Sequence, residues 1–390
     1  MNFYRLHLLA LSLFLFTACS TKKIDKDHNT TIQSIQSTIG IQPSHNATTN
    51  TNNTNLNNTN ITHNNIQEEY SQLSGDFAGN WKLSNFIDRM HTEHNFDYKY
   101  LYTLFSNAKD SNQFVEPCKV RDSDGNCIVE TQPKGKWDRY RDMFVYERNI
   151  QRGITFWEEH EETLNRAYQE YGVLPEHIIG IIGIETAYGV NFGKKRVIDV
   201  LTTKGMLGDR REDFYTKQLE KFLIMTRDAN LDASTLMGSN AGAMGYGQFI
   251  ASSYLAFAID FNGDGITDLW NAEDAIGSVA NYFAKNGWNR NLSEVVTRAK
   301  YKGNRFKKLK TGFKTKYSQS KLRKKHGITA RKKLKYRGPV SLIKLPKHAY
   351  DELWFGTHNF RVITTYNHST FYGMAVYVLG QAVKARRYGS

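Results

Sequence analysis

The chain has 390 residues, 40% hydrophobic and 23% charged, which is enough apolar content for a buried core and a length suited to about two domains. A mean hydropathy of −0.57 excludes a multi-span membrane protein, and three cysteines exclude a disulfide-dense mini-domain. The net charge of +14 points to an anionic partner, yet residues 298–337 hold 18 Lys and Arg and no Asp or Glu, leaving 34 basic against 38 acidic residues elsewhere. The basic character therefore belongs to one segment. Fifty residues are aromatic, and their ring faces suit sugars, bases or membranes.

At the N-terminus, Arg5 and His7 precede an apolar run over residues 8–16, broken by Ser12. Residues 1–18 read as a signal peptide. Cys19 follows small residues, as in a bacterial lipobox, and is the expected lipidation site; Phe16 stands where that pattern usually has leucine. Ser20 and Thr21 after the cysteine favour the outer membrane, so the expected location is its periplasmic face. Residues 19–75 form the expected lipidated N-terminus and tether. Ten of the twenty residues 46–65 are Asn, a composition that buries too little apolar area to offset its ordering entropy.

Order is expected from about Phe77 and Trp81 onward. Residues 155–171 have helical spacing, Pro175 opens a second helix, and Gly189 suits its stop. Residues 213–228 are amphipathic, with Tyr215, Leu219, Phe222 and Met225 or Thr226 on one face. Further helices are expected over 272–285 and about 370–386. Residues 340–345 and 360–365 alternate at period two and read as strands. The fold class is mainly α (α+β): a helical body with a small, basic, β-rich insertion at about 291–354.

Ile181 and Ile182 lie four and three residues before Glu185 and share its face on a helix. A carboxyl carried on an apolar face is desolvated, its pKa rises, and it can donate a proton near neutral pH. Read alone, this helix favours the other reading, a glutamate at the rim facing water. A second segment, residues 237–250, places four glycines in ten residues, interleaved with Ser239, Tyr246 and Gln248. Glycine permits positive φ and close backbone approach, and the absence of a phosphate-binding lysine excludes a P-loop.

Taken together, Gly-Ile-Glu-Thr-Ala-Tyr-Gly at 183–189 and Gly-Ala-Met-Gly-Tyr-Gly-Gln-Phe at 242–249 resemble the lytic transglycosylases, more narrowly the membrane-bound lytic murein transglycosylase B family. The resemblance continues through residues 260–265, 274–283, 287–288, 363–372 and 375–382. It covers most of residues 77–390, but neither the tether nor the basic stretch. It implies a lysozyme-like catalytic core, at about 155–290 and 355–390 within a transglycosylase region of 76–390, flanked by an α domain and a small β domain. It makes Glu185 the single catalytic acid and then base. It places Ser239, Gln248 and Phe249 along the sugar cleft, with Tyr140, Tyr282, Tyr366 and Tyr372 as substrate tyrosines. Arg210 matches a peptide-stem contact, with Arg211 beside it leaving the register open. The implied reaction cleaves the β-1,4 bond between N-acetylmuramic acid and N-acetylglucosamine and leaves a 1,6-anhydro end. Ordinary glycosidases use two carboxylates; one is carried by a motif here, with Asp199 and Asp213 as acids that folding could bring near.

Residues 260–268 follow the EF-hand loop, with Asp260, Asn262 and Asp264 at positions 1, 3 and 5, Gly265 at 6, the Ile266 carbonyl at 7 and Asp268 at 9. Position 12, normally a bidentate Glu, is Asn271. The longer family loop closes on an acid matching Asp274, with Glu273 as the neighbouring alternative. A structural Ca2+ is expected, and no cofactor for the chemistry. Cys118 and Cys127, separated by an Asp-Gly turn, are expected to pair as a disulfide after export. Peptidoglycan glycan strands with peptide stems are the implied partner, and the outer membrane is met through the lipid anchor. Nucleic acid fits the charge but not the signal peptide; proteins of wall synthesis are further candidates that the sequence does not identify. Rival readings are a hydrolytic muramidase and a non-catalytic cell-wall-binding lipoprotein.

Overall fold

A computed structural model describes residues 72–113, 135–208 and 210–389. Cys19, residues 19–71, and the Cys118 and Cys127 pair lie outside these residues, whereas residues 72–75, expected in the tether, belong to the folded part, with Leu73 buried in its core. Among the described residues, no helix is long and apolar enough to cross a membrane.

Thirteen α-helices are present among the described residues, and local chemistry sets many of their ends. Asn80 opens the Trp81–His94 helix by accepting the Leu83 amide at 3.0 Å, and Asn95, with φ of 57°, closes it. Asn271 caps the Ala272–Lys285 helix, and Ser369 caps the C-terminal helix Thr370–Tyr388. Such side-chain acceptors satisfy amides that a first turn leaves unpaired.

The Pro175–Thr186 helix starts with proline in its first turn, where the missing N–H is harmless. Residues 175–184 are all buried, as expected for a helix that is apolar on every side. The C-terminal helix packs directly on it. A Cβ on Gly180 would stand 2.3 Å from the Val376 carbonyl oxygen, and one on Gly380 would stand 1.9 Å from the Glu176 carbonyl oxygen. The two backbones meet closely because glycine stands at both contacts.

Among the described residues, seven short strands form two sheets: β1 (Lys195–Arg196), β2 (Met237–Gly238), β3 (Val296–Lys300), β4 (Lys316–Tyr317), β5 (Thr329–Ala330), β6 (Val340–Pro346) and β7 (Asp351–Gly356). β1 pairs with β2, and the other five are antiparallel in the order β4-β6-β7-β3-β5. The larger sheet falls in the expected basic segment. It has its own core, in which Phe306, Leu322, Ile328, Leu342, Leu353 and Phe355 are buried.

Three sequence expectations change. Residues 360–365 are not a strand but part of the His358–Tyr366 helix. Their β-branched run favours extension, yet Asn359, Val362, Ile363 and Tyr366 are buried at the i, i+3, i+4, i+7 spacing of a helix face. Tertiary burial overrides local preference. Residues 155–171 are divided between two helices, Glu147–Glu159 and Glu161–Tyr171. His160, with φ −121° and ψ 27°, breaks the run. The Pro175–Thr186 helix ends before Gly189, because Ala187 and Tyr188 already adopt φ of 50° and 62°.

Candidate active site

Glu185 lies in the last turn of the Pro175–Thr186 helix, with Ile181 and Ile182 fully buried on its face. Some of its side-chain surface stays accessible, while the carboxyl itself sits in a desolvated surround. Burial pushes its pKa up to about 7, and a hydrogen bond from Tyr372 partly opposes the shift. That bond runs from the Tyr372 hydroxyl to Glu185 Oε1 at 2.5 Å. Removing water disfavours the ionised form, whereas a donor to the carboxylate favours it; here burial is the larger effect.

The tyrosines converge from distant parts of the chain. The Tyr366 and Tyr372 rings stack at 6.4 Å with an interplanar angle of 12°. Tyr366 donates to the Gly247 carbonyl at 2.5 Å and packs against Tyr282 at 4.8 Å and Phe249 at 5.8 Å. Tyr282 is hydrogen-bonded to Thr365. Tyr140 packs on Trp137, Phe144 and Phe371. Burial, and the charge on Glu185, push its hydroxyl up to about 12. Glu185, Tyr140, Phe249, Tyr282, Tyr366 and Tyr372 are thus one cluster, although they are spread over more than two hundred residues of sequence.

The glycine-rich segment forms the adjoining wall. Met244 and Phe249 exchange backbone hydrogen bonds of 2.8 and 3.0 Å, closing a tight loop in which Gly245 and Gln248 have φ of 67° and 50°. A Cβ on Gly245 would lie 2.4 Å from the Leu269 carbonyl oxygen, so the loop needs glycine there for space as well as φ. Gln248 donates its amide to the carbonyls of Phe192, at 3.2 Å, and Gly245, at 3.1 Å. Ser239 Oγ accepts the amides of Ala241 and Ala243 at 3.3 and 3.1 Å, so it shapes the loop. Neither Ser239 nor Gln248 bonds to the Glu185 cluster among the described residues. Arg210 is exposed, whereas Arg211 lies over the Phe214 ring at 4.1 Å.

Three residues to which the sequence assigned no role in the site support it. Thr186 Oγ1 donates to the Tyr246 carbonyl at 3.2 Å and accepts the Gly189 amide at 3.2 Å, tying the Glu185 helix to the glycine loop. The Tyr246 ring stands edge-on to Phe192 at 4.9 Å. Thr186 and Tyr246 fall inside the two recognised motifs, so their positions carried a signal. Buried Asn149 donates to the Phe144 carbonyl at 2.8 Å and the Gly183 carbonyl at 3.4 Å; no motif marks it. A cavity of about 460 Å³ adjoins the loop through Phe192 and is lined also by Val190, Lys194, Leu236, Met237 and Trp270.

Neither candidate second carboxylate joins Glu185. Asp199 is held by Arg196 at 2.8 Å and by the Lys109 amide at 2.8 Å, and Asp213 lies in the first turn of the Glu212–Asp228 helix. Among the described residues, the hydrogen-bond partner of the Glu185 carboxyl is Tyr372. A carboxyl poised near neutrality can give a proton to a departing oxygen and then take one from an attacking hydroxyl.

The acidic loop is built from interlocking Asx turns. Asp260 accepts the Gly263 and Gly265 amides at 2.7 and 2.8 Å, Asn262 accepts the Asp264 amide at 3.0 Å, and Asp264 accepts the Ile266 amide at 2.8 Å. Asp268 accepts the Trp270 amide at 2.8 Å. Asp274 is fully buried and accepts the amides of Phe261, Asn262 and Asp268. It therefore ties the start of the loop to the Asp268 turn through three backbone amides. Asn271 instead caps the following helix. Among the described residues, no three His, Cys, Asp or Glu side chains converge on a common metal position. The donor types and the turn conformation suit a hard cation; the carboxylates serve the loop's own amides.

The family described as transglycosylase SLT domain matches residues 79–381. The chain is 40% identical over 387 residues to membrane-bound lytic murein transglycosylase B of Escherichia coli strain K12, covering 99% of both proteins. Structures of the Escherichia coli lytic transglycosylase Slt35, one with bulgecin A and one with calcium, superpose with a TM-score of 0.73 at 43% identity, over 83% of this chain and 98% of theirs. SltB3 of Pseudomonas aeruginosa, solved with NAG-NAM-pentapeptide, matches with a TM-score of 0.65 at 25% identity, over 77% of this chain and 79% of that one.

Proposed function

The chain belongs to the transglycosylase SLT domain family, and we propose that Glu185 is its single catalytic carboxyl, cleaving the β-1,4 bond between N-acetylmuramic acid and N-acetylglucosamine. The protein is a lytic murein transglycosylase with the lysozyme-like fold of its structural neighbours. One observation carries the assignment: a lone motif-borne carboxyl, desolvated to a pKa of about 7 and hydrogen-bonded by a buried tyrosine.

Glu185 protonates the leaving oxygen on N-acetylglucosamine as the bond to C1 of N-acetylmuramic acid breaks. With no second carboxylate at hand, the substrate's own N-acetyl oxygen attacks C1, a substrate-assisted route. The Glu185 carboxylate then takes the C6 hydroxyl proton as O6 attacks C1 and displaces the acetamido oxygen. Glu185 ends protonated, no water is consumed, and the product carries a 1,6-anhydro ring. The intramolecular attack is favoured by proximity. Tyr372 orients the carboxyl and stabilises its charged form, while the partly exposed rings of Tyr140 and Tyr282 offer faces for the sugar and buried Phe249 and Tyr366 pack behind them. Ser239, Gln248 and exposed Arg210 complete the proposed contacts, with Arg210 toward a peptide stem. Mass analysis of products from purified sacculi tests the reaction: the anhydro product is one water lighter than that of a hydrolytic muramidase.

The Tyr372–Glu185 bond has a signed consequence. Because that bond lowers the Glu185 pKa, Tyr372→Phe removes a stabiliser of the carboxylate. The alkaline limb of kcat/KM, which reports the free enzyme, should move to higher pH, with kcat also reduced through a less oriented acid. A limb at the wild-type position would show that Tyr372 does not act on Glu185.

A structural Ca2+ is supported by the Asx-turn loop and by the related structure solved with calcium. Asp260, Asn262, Asp264, the Ile266 carbonyl and Asp268 would hold it, with Asp274 closing the loop. Asp264→Ala should abolish any calcium-dependent rise in Tm. That rise corresponds to about 2.7 kcal/mol at a hundredfold excess over Kd. Identical wild-type melting in calcium and in chelator would show that the loop is held by its own hydrogen bonds. Attachment to the periplasmic face of the outer membrane through lipidated Cys19 is supported by the lipobox-like sequence and by the membrane-bound relative. The mass of the mature N-terminus tests it.

A further inference from the structure

The basic segment has a structural form that its sequence did not disclose. Of the 18 Lys and Arg in residues 298–337, all but Arg298 are exposed. Arg298 pairs with Glu352 at 3.0 Å; among the described residues, none of the other seventeen forms an ion pair. Glu294, the nearby acid, spends its carboxylate on the Lys335 and Tyr336 backbone amides at 2.9 and 2.7 Å. The segment is nonetheless firmly folded. Phe306, Leu322, Ile328 and Leu334 anchor it to the core of the five-stranded sheet, and Tyr301 donates to the Asp351 carbonyl at 2.5 Å. So many like charges held on one fixed scaffold repel one another, and an external polyanion relieves that repulsion.

The character of the surface narrows the partner. Among the described residues, no large apolar side chain is exposed within 298–337, so nothing there can wedge into a lipid bilayer. The attraction is purely electrostatic, and most of the charges are lysines, which act as point charges without directional demand. One place offers more. A groove of about 250 Å³ is lined by Gln319, Arg323, Thr329 and Arg337 over a floor of Ile328 and Phe355. Gln319 is pinned by bonds to the Tyr336 and Gly338 carbonyls at 2.8 and 3.1 Å. Two guanidinium groups beside a fixed groove match a carboxylate, which arginine can grip with paired hydrogen bonds.

We propose that this basic β subdomain is a second, non-catalytic docking surface for the carboxylate-bearing peptide stems of the glycan polymer, with the Arg323–Arg337 groove seating one stem carboxylate. This rests on the murein substrate argued above. The enzyme would then hold its polymer at two places, so that losing the second weakens retention on the wall without touching bond cleavage.

The test uses two variants of the full chain, one with Lys307, Lys308, Lys310, Lys324 and Lys325 replaced by Gln, the other Arg323→Gln with Arg337→Gln. All seven side chains are exposed, so melting temperatures should match the wild type. Binding is measured on sacculi, on sacculi stripped of stems by an amidase, and on anionic phospholipid vesicles, across a salt series. Each variant should lose about tenfold in affinity for intact sacculi at low salt. The loss should shrink toward 1 M salt, where the Debye length is about 3 Å. Stripped sacculi should bind wild type and variants equally, and turnover of soluble stem-free glycan should not change. Equal binding of all three proteins to intact sacculi overturns the proposal. So does a loss confined to vesicles, which makes the surface a membrane contact, or a loss of soluble turnover, which makes it part of the cleft. Binding is read without turnover, so a failed docking surface and a failed catalytic assignment give different results.

Discussion

Glu185→Gln should lower turnover of intact sacculi by 10²-fold or more while leaving the fold in place. Glutamine keeps the volume and an acceptor oxygen for the Tyr372 hydroxyl, which approaches at 2.5 Å in the wild type. What it lacks is a transferable proton, and removing a general acid typically costs 10²–10⁴-fold. Folding stability should respond in a signed way. The Glu185 pKa is about 7 in the folded protein against an ordinary 4.5. The folded state thus holds this proton more tightly than the unfolded chain. Wild-type stability falls as pH rises from about 4.5 through about 7, where the carboxyl must ionise inside its desolvated surround. The Gln variant has no such group, so its Tm should decline less between pH 5 and pH 8. Near wild-type turnover by the variant would remove Glu185 from the mechanism. An unaltered pH dependence of Tm would mean that its carboxyl is not desolvated.

Two isoleucines at i−3 and i−4 fix the face of Glu185 in any helix, but that helix alone reads as well as a rim glutamate facing water, and it was the motifs that marked the acid. Its surroundings were legible only as motifs. Nothing in residues 140, 249, 282, 366 and 372 states that they meet; the resemblance placed them in one site, and the fold brings them together. Where local pattern stood alone it failed in an instructive place. Residues 360–365 read as a strand by alternation, but they carry Tyr366 into the cluster as a helix because Asn359, Val362 and Ile363 find a buried surface to pack against. The break at His160 is likewise conformational, with no proline or glycine to announce it. Asn149 was invisible because its importance lies in the carbonyls it satisfies, Phe144 and Gly183, which are named only by the tertiary structure. The turns of the acidic loop were readable from spacing, because Asx turns are encoded within two to five residues of sequence, whereas Asp274, whose amide partners Phe261 and Asn262 lie 13 and 12 residues away, came only from the resemblance.

Gly380 falls inside the 375–382 stretch of the resemblance without being named there, yet Gly380→Ala should be among the most damaging single-methyl changes in the protein. In an exposed helix the same substitution stabilises by about 1 kcal/mol, since alanine is the better helix former. Here the new Cβ would stand 1.9 Å from the Glu176 backbone oxygen, and a helix backbone cannot yield as a flexible side-chain end can. The two helices must separate. Gly180 opposes Val376 at the same seam, so the displacement spreads along the interface. Overpacking of this kind costs about 3 kcal/mol, which outweighs the propensity gain and lowers Tm by roughly 3–5 °C in a domain of this size. Catalysis should suffer beyond the loss of folded protein. Glu185 rides on one of these helices and Tyr372 on the other, so their separation lengthens the bond that orients the acid, and a 1 Å misplacement can cost 10²-fold. Thermal melting and kcat at a temperature where the variant is fully folded check the two effects separately. A variant with raised Tm and wild-type kcat would show that the helices have room for the methyl group and that the seam does not set the position of Tyr372.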